Sequence, residues 1–253
     1  MGRTIVTTSW DDGAIEDARV AELLAKYGIM GTFYVPRSNR ERSVMPDLEL
    51  RNIAAQFEIG SHTHDHVFLT TVSEDFARRQ IIDGTMALED VLGQKVHGFC
   101  YPGGYFNAPI RQLVRQSGLG YARTVVNLVD DLSTLDPFQL PTSIHFFPRA
   151  GYKHIKTYLA FGDYQHRWRS FTSAARSGSI SDRAHRLVDI CAQRQGYFHL
   201  WGHSWEIEAY DLWSEFELIL AKLSQTFSPV DLVSNRDAVL RARSTADPSS
   251  LAA

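Results

Sequence analysis

The fold this sequence predicts is a single α/β domain whose parallel strands wrap into a closed or nearly closed barrel. Three observations predict it. Short β-branched or aromatic runs alternate with amphipathic segments of helical period, the mark of repeated strand–helix units. About seven such repeats follow one another, which suits a barrel better than an open sheet. The chain has 253 residues, 44% hydrophobic and 22% charged, enough for one barrel-sized soluble core.

The elements follow in order. Thr4–Trp10 is short and β-branched and reads as a strand. Residues 15–27 carry Val20, Leu23, Leu24 and Tyr27 at i, i+3, i+4 and i+7, a helix face that Gly28 ends. Gly31–Pro36 is a second strand, Leu48–Gln56 a helix and Phe57–Ser61 a third strand. Glu74–Leu92 is a long helix with Ser73 as its N-cap and Gly93 at its end. Val96–Tyr101 is a strand stopped by Pro102-Gly103-Gly104, and further strands are expected at Tyr121–Val125, Gln139–Ile144 and Tyr197–Gly202. Phe216, Ile219, Leu220, Leu223 and Phe227 mark a late helix, before a last short strand at Asp231–Ser234 and a helix at Asn235–Arg243. A single domain is expected over 1–243, with the irregular, aromatic-rich stretch 145–180 as an inserted rim and 244–253 as a frayed tail.

Composition narrows the function. There are 26 Lys+Arg against 29 Asp+Glu, a net charge of −3, and no basic run of the kind a nucleic-acid partner requires. No apolar stretch of about 18 residues exists to span a membrane. The N-terminal residues contain no apolar segment of secretory type, so a cytoplasmic location is expected. Two cysteines, Cys100 and Cys191, are too few for a disulfide framework; Cys191 falls in a helical stretch as a core residue. No phosphate loop, dinucleotide fingerprint or serine-nucleophile elbow is found.

Four clusters fall at expected strand ends, where barrel chemistry sits. Asp11-Asp12-Gly13 follows the first strand. Adjacent carboxylates are costly to bury without a cation, and with one present one carboxylate binds it while the other acts on water; the alternative is an ordinary Asp-Gly turn. His62-Thr63-His64-Asp65-His66 follows the third strand. His62 and His66 are spaced i, i+4, so one helical turn would put both imidazoles on one side, with His64 pointing elsewhere. Two imidazoles and one carboxylate suit zinc or a similar divalent ion with positions left open; the alternative is a polar surface loop. Cys100-Tyr101-Pro102-Gly103-Gly104 is either a tight turn or a place where backbone N–H meets an oxyanion. His203 ends an apolar strand and is either structural or a general acid tuned by a carboxylate such as Glu206. Trp201 and Trp205 are either core residues or sugar-stacking surfaces.

In order, content and placement these clusters resemble the motifs of the polysaccharide deacetylase family, the carbohydrate esterases built on the NodB homology domain. The resemblance spans residues 4–206 and rests on Thr8-Ser9-Trp10-Asp11-Asp12-Gly13, His62-Thr63-His64-Asp65-His66, Cys100-Tyr101-Pro102-Gly103-Gly104 and Leu200-Trp201-Gly202-His203. It implies a distorted (β/α)7-type barrel, NodB-like. It implies Asp11 as general base, Asp12, His62 and His66 as metal ligands, His203 as general acid, and the Gly103 N–H as an oxyanion donor. Tyr101, Trp201, Trp205 and Glu206 are the residues expected around the substrate. The implied cofactor is one divalent ion, zinc first, with cobalt, nickel, manganese or iron as alternatives. The implied reaction removes an N-acetyl group from an amino sugar in an intracellular glycan, sugar nucleotide or glycoconjugate precursor. The alternatives are a deformylase or allantoinase-like amide hydrolase on the same fold, or a non-catalytic sugar-binding barrel. Cys100 stands where many members have an arginine that orients the base; the chain looks like a branch reading F-x-Y-P-x-G. The usual Asp/Trp motif is represented only by the candidates Asp130, Asp131 and Asp136.

Overall fold

The computed structural model describes residues 4–148, 158–159 and 164–246. Seven parallel strands form one curled sheet: β1 (Ile5–Asp11), β2 (Thr32–Val35), β3 (Glu58–Ser61), β4 (Gly98–Cys100), β5 (Tyr121–Arg123), β6 (Ile144–His145) and β7 (Tyr197–Gly202). Their order is β5-β4-β3-β2-β1-β7-β6, so the first strand lies between the second and the last. Every residue of β1 and β7 is buried, as expected for strands covered on both faces. The stretch from Leu140 to Phe146 ties the two sheet edges together. Leu140 exchanges backbone hydrogen bonds with Ala122 and Thr124 beside β5, while Ser143 and Phe146 donate to His199 and Trp201 of β7. The expected barrel is therefore present, distorted because its edges meet over a few bonds rather than a full ladder.

Helices pack outside. They are α1 (Asp17–Lys26), α2 (Asp47–Ala54), α3 (Glu74–Leu92), α4 (Ala108–Gln116), α5 (Tyr164–Ala175), α6 (Ile180–Arg194), α7 (Ser204–Ala209), α8 (Trp213–Thr226) and α9 (Asn235–Ala246). Helix α3 has the expected bounds. Ser73 accepts from the Phe76 N–H, Gly93 adopts the left-handed conformation, and Ala77, Gln80, Ile81, Gly84 and Leu88 form its buried stripe. The barrel interior is filled by Ile5, Tyr34, Cys100, Tyr121, Leu140 and Tyr197, and α9 seals its floor with Val239 and Ala242. A polar network locks that seal. Asn235 donates to the Tyr34 hydroxyl at 2.9 Å, Tyr121 donates to Glu58 at 2.9 Å, and the Arg236 N–H reaches Glu58 at 3.0 Å.

Four expectations change. The strand expected at Gln139–Ile144 is shortened and shifted to β6, Ile144–His145, with Gln139 ending a single 3-10 turn. Asp231–Ser234 is not a strand: only Leu232 bridges to Val6, because β2 begins opposite Ser9 and leaves just that part of the β1 edge open. Helix α4 was not expected, although Ile110, Leu113 and Val114 form its buried face and Asn107 caps it. The expected irregular rim at 145–180 contains all of α5, and 149–157 and 160–163 within it lie outside the described residues, as does the tail from 247.

Candidate active site

The site is built at the C-terminal ends of the strands. Asp12 leaves β1 with φ of 79°, and Thr63 and His66 leave β3 with φ of 67° and 52°. Non-glycine residues rarely adopt this left-handed conformation, at a cost of order 1–3 kcal/mol each, and they gather at functional sites. These angles also correct the expected helical turn. His62 and His66 approach each other through an irregular loop, with ring centroids 5.1 Å apart. The loop is held from below by α3: Gln80 accepts the His64 N–H at 2.9 Å through its backbone and the Asp65 N–H at 2.8 Å through its side chain. Gly84 is required there, since a Cβ would lie 2.6 Å from the His64 nitrogen.

Asp12 is the hub. Its Oδ1 lies 3.1 Å from His66 Nε2 and 3.7 Å from His62 Nε2. Its Oδ2 accepts from the Trp205 indole at 3.0 Å and lies 4.0 Å from His203 Nε2. Burial opposes the charge of Asp12, but the His66 hydrogen bond and the nearby imidazoles outweigh it and hold the carboxyl well below its ordinary range. His62 Nδ1 lies 2.8 Å from the Cys100 carbonyl, which can only accept, so the proton sits on Nδ1 and the Nε2 lone pair faces Asp12. Burial lowers His62 to about 4, which keeps that lone pair free. Asp12, His62 and His66 thus bring three ligand atoms within 4.8 Å of one another, a nitrogen–nitrogen–oxygen donor set that fits a divalent ion such as zinc.

Asp11 has different neighbours. Arg123 Nη2 donates to its Oδ1, and the Cys100 thiol approaches its Oδ2 at 3.7 Å. Arg123, fully buried at the end of β5, escaped the sequence reading: one arginine in a three-residue strand carries no signal of its own. His203 donates from Nδ1 to Glu206 at 2.8 Å, and His145 donates to the same carboxylate oxygen at 3.1 Å. Burial acts against a charged His203, but the Glu206 hydrogen bond and the charges of Asp12 and Asp11 raise it overall. None of Asp130, Asp131 and Asp136 takes this place; their hydrogen bonds go to Ser170, to Ser133, and to Arg111 and Arg115.

The side chains expected around the substrate each have partners within the chain. Tyr101 is buried, stacked on Phe106 and donating to the Phe138 carbonyl. Trp201 has His145 stacked at 3.9 Å and the Arg123 guanidinium 4.8 Å from its ring. Trp205 orients Asp12 and carries Arg42 at 3.5 Å over its ring. Glu206 is committed to two imidazoles. Gly103 is exposed with φ of 62°, and a Cβ there would lie 2.9 Å from the Tyr105 ring. The open aromatic rings beside it are Phe68 and Tyr105, 40% and 58% exposed and in edge contact at 5.4 Å.

Comparison with known proteins bears on the first half of the chain and on the fold. Residues 1–122 match the family described as polysaccharide deacetylase. Over 116 residues the chain is 27% identical to a peptidoglycan-N-acetylglucosamine deacetylase of Bacillus cereus; the match covers 45% of this chain, which thus spans about half (53%) of that curated relative. Among solved structures, a polysaccharide deacetylase homologue from Mycobacterium smegmatis gives a TM-score of 0.65 at 16% identity, over 97% of this chain and 92% of that one. The family 4 carbohydrate esterase from Streptomyces lividans, in complex with acetate, gives 0.55 at 13% identity, over 92% and 93%. At these identities the structural likeness speaks for the fold alone. The chain is thus similar to the polysaccharide deacetylase family over residues 1–122, just under half of its length, and shares the fold of these solved structures over nearly all of it.

Proposed function

We propose that the protein is a metal-dependent hydrolase that removes the acetyl group from an N-acetylated amino sugar. One observation carries the reading: two adjacent carboxylates are separated in duty, Asp12 turned to His62 and His66, Asp11 turned away to Arg123. Asp12, His62 and His66 would hold the ion, which supplies Lewis acidity toward the acyl oxygen and makes water a better nucleophile at neutral pH. The roles of the chain's own groups follow. Asp11 takes a proton from the attacking water as general base. The Gly103 N–H donates to the oxyanion as the acyl carbon becomes tetrahedral. His203, held in one tautomer by Glu206, gives the proton from Nε2 to the leaving amine; without it the tetrahedral species returns to amide. The exposed Phe68 and Tyr105 rings supply an apolar face of the kind sugar rings stack on.

The names of the curated relative and of the acetate-bound esterase support acetyl as the group removed and an amino sugar as its carrier. The test is incubation of zinc-loaded protein with N-acetylated sugar nucleotides, lipid-linked sugars, and chitin and peptidoglycan fragments. Acetate release from one of these classes is expected and names the substrate. Formate release from formylated analogues without acetate release, or no release at all, sinks the reading.

A further inference from the structure

Cys100 and Arg123 are register partners on adjacent parallel strands, so their side chains stand side by side at the end of the barrel interior. Both reach the same carboxylate. Arg123 donates through Nη2 to Asp11 Oδ1, and the Cys100 thiol meets Oδ2 at 3.7 Å. The Arg123 side chain is 0% exposed, and the rings of Trp201 and Tyr34 flank its guanidinium at 4.8 and 5.3 Å. A guanidinium does not shed its proton, so burying one demands an anion beside it. Its Nε and Nη1 reach no hydrogen-bond partner among the described residues, which leaves Asp11 as the group that fixes where the fork sits. A thiol is a weak donor, so Oδ2 keeps an uncommitted lone pair.

We propose, on the reading of the site given above, that Arg123 is a positioning residue: it grips Oδ1, sets the plane of the Asp11 carboxylate, and makes Oδ2 the atom that takes the proton from water. The water oxygen then bonds to the acyl carbon, the proton rests on Oδ2, and the carbon–nitrogen bond breaks as His203 protonates the amine. The small Cys100 side chain leaves the space that the guanidinium enters from the neighbouring strand.

The experiment is a double-variant cycle on the full, zinc-loaded chain, reading kcat and KM for acetate release, with zinc content and melting temperature measured on each variant. Wild type comes first: absence of acetate release there removes the deacetylase reading itself. With wild-type turnover established, Arg123→Met is expected to lower kcat about 10²-fold at unchanged zinc content and little changed KM, the scale of loss that misplacing a catalytic group produces. Arg123→Lys is expected to recover part of it. Asp11→Asn and the double variant Asp11→Asn/Arg123→Met are expected to share one residual rate, because Arg123 acts only through Asp11. The double variant also removes both charges of the buried pair, so it reports even where Arg123→Met alone does not fold. The proposal is overturned by wild-type kcat in both Arg123 variants. It is equally overturned by a further loss of about 10-fold when Arg123→Met is added to Asp11→Asn.

Discussion

Glu206 accepts from His203 through the same oxygen, Oε2, that His145 reaches, at 2.8 and 3.1 Å. Burial works against the Glu206 charge, yet the two imidazole hydrogen bonds prevail and lower it to about 2. The carboxylate in turn raises His203 against its own burial. A general acid works only while protonated, so activity is expected to fall as pH rises through the His203 value. Glu206→Gln removes the raising influence, and the alkaline limb of the kcat profile is expected to move to lower pH. A limb that stays in place takes Glu206 out of this role.

Asp11→Asn is expected to keep the metal and lose about 10²–10⁴-fold in kcat, the usual contribution of a general base. Metal analysis beside steady-state kinetics checks both halves. Loss of the ion together with activity would mean that Asp11, not only Asp12, is a ligand.

His62→Gln removes a donor whose lone pair is aimed by the Cys100 carbonyl. Even changes to residues that only support a metal ligand cost about 10–100-fold in affinity, and loss of the ligand itself is expected to exceed that. Chelation of wild type is expected to abolish turnover and zinc to restore it. Isothermal titration with zinc measures the first effect; a variant that binds like wild type excludes His62 from the ligand set.

Gly84→Ala places a methyl 2.6 Å from the His64 nitrogen and from the Thr63 carbonyl carbon. Backbone cannot yield as a side-chain tip can, so the histidine loop must shift. Overpacking of this kind costs about 1–3 kcal/mol, read as a lower melting temperature, and weaker zinc binding is expected with it although Gly84 touches no ion. Unchanged zinc affinity in a destabilised variant would separate the helix from the loop.

Tyr105→Ala and Phe68→Ala change exposed rings and are expected to leave folding intact. A raised KM for a sugar substrate, by roughly 10-fold for a lost stacking face, with little change in kcat, is the expected signature. Equal KM values in both variants would place the sugar elsewhere.

What the sequence revealed and what it hid divide along one physical line. Asp11, Asp12, His62 and His203 were legible because each sits at a strand end or one residue past it, with His66 in the loop that follows β3, and strand ends of a barrel converge whatever lies between them. The bounds of α3 were legible because its cap, stripe and terminal glycine are all local. Arg123 was not, since its meaning lies in a carboxylate 112 positions away. Nor was the burial of Tyr101, because stacking on Phe106 is a fact of tertiary packing. The i, i+4 spacing of His62 and His66 correctly paired the rings but misjudged the backbone, since left-handed Thr63 and His66 follow from contacts with α3 that no short window contains.

Strand β1 pairs with β7 through six consecutive residues, Ile5↔Tyr197 to Trp10↔Gly202. During synthesis, therefore, a ribosome-bound chain displays both aspartates and the histidine loop long before His203 exists, and on the proposed reaction it would lack its general acid until β7 threads beside the earliest strand. Joining such distant stretches is a slow, high-contact-order event. On the proposed reaction, turnover would require that closure, and activity would report whether it has taken place.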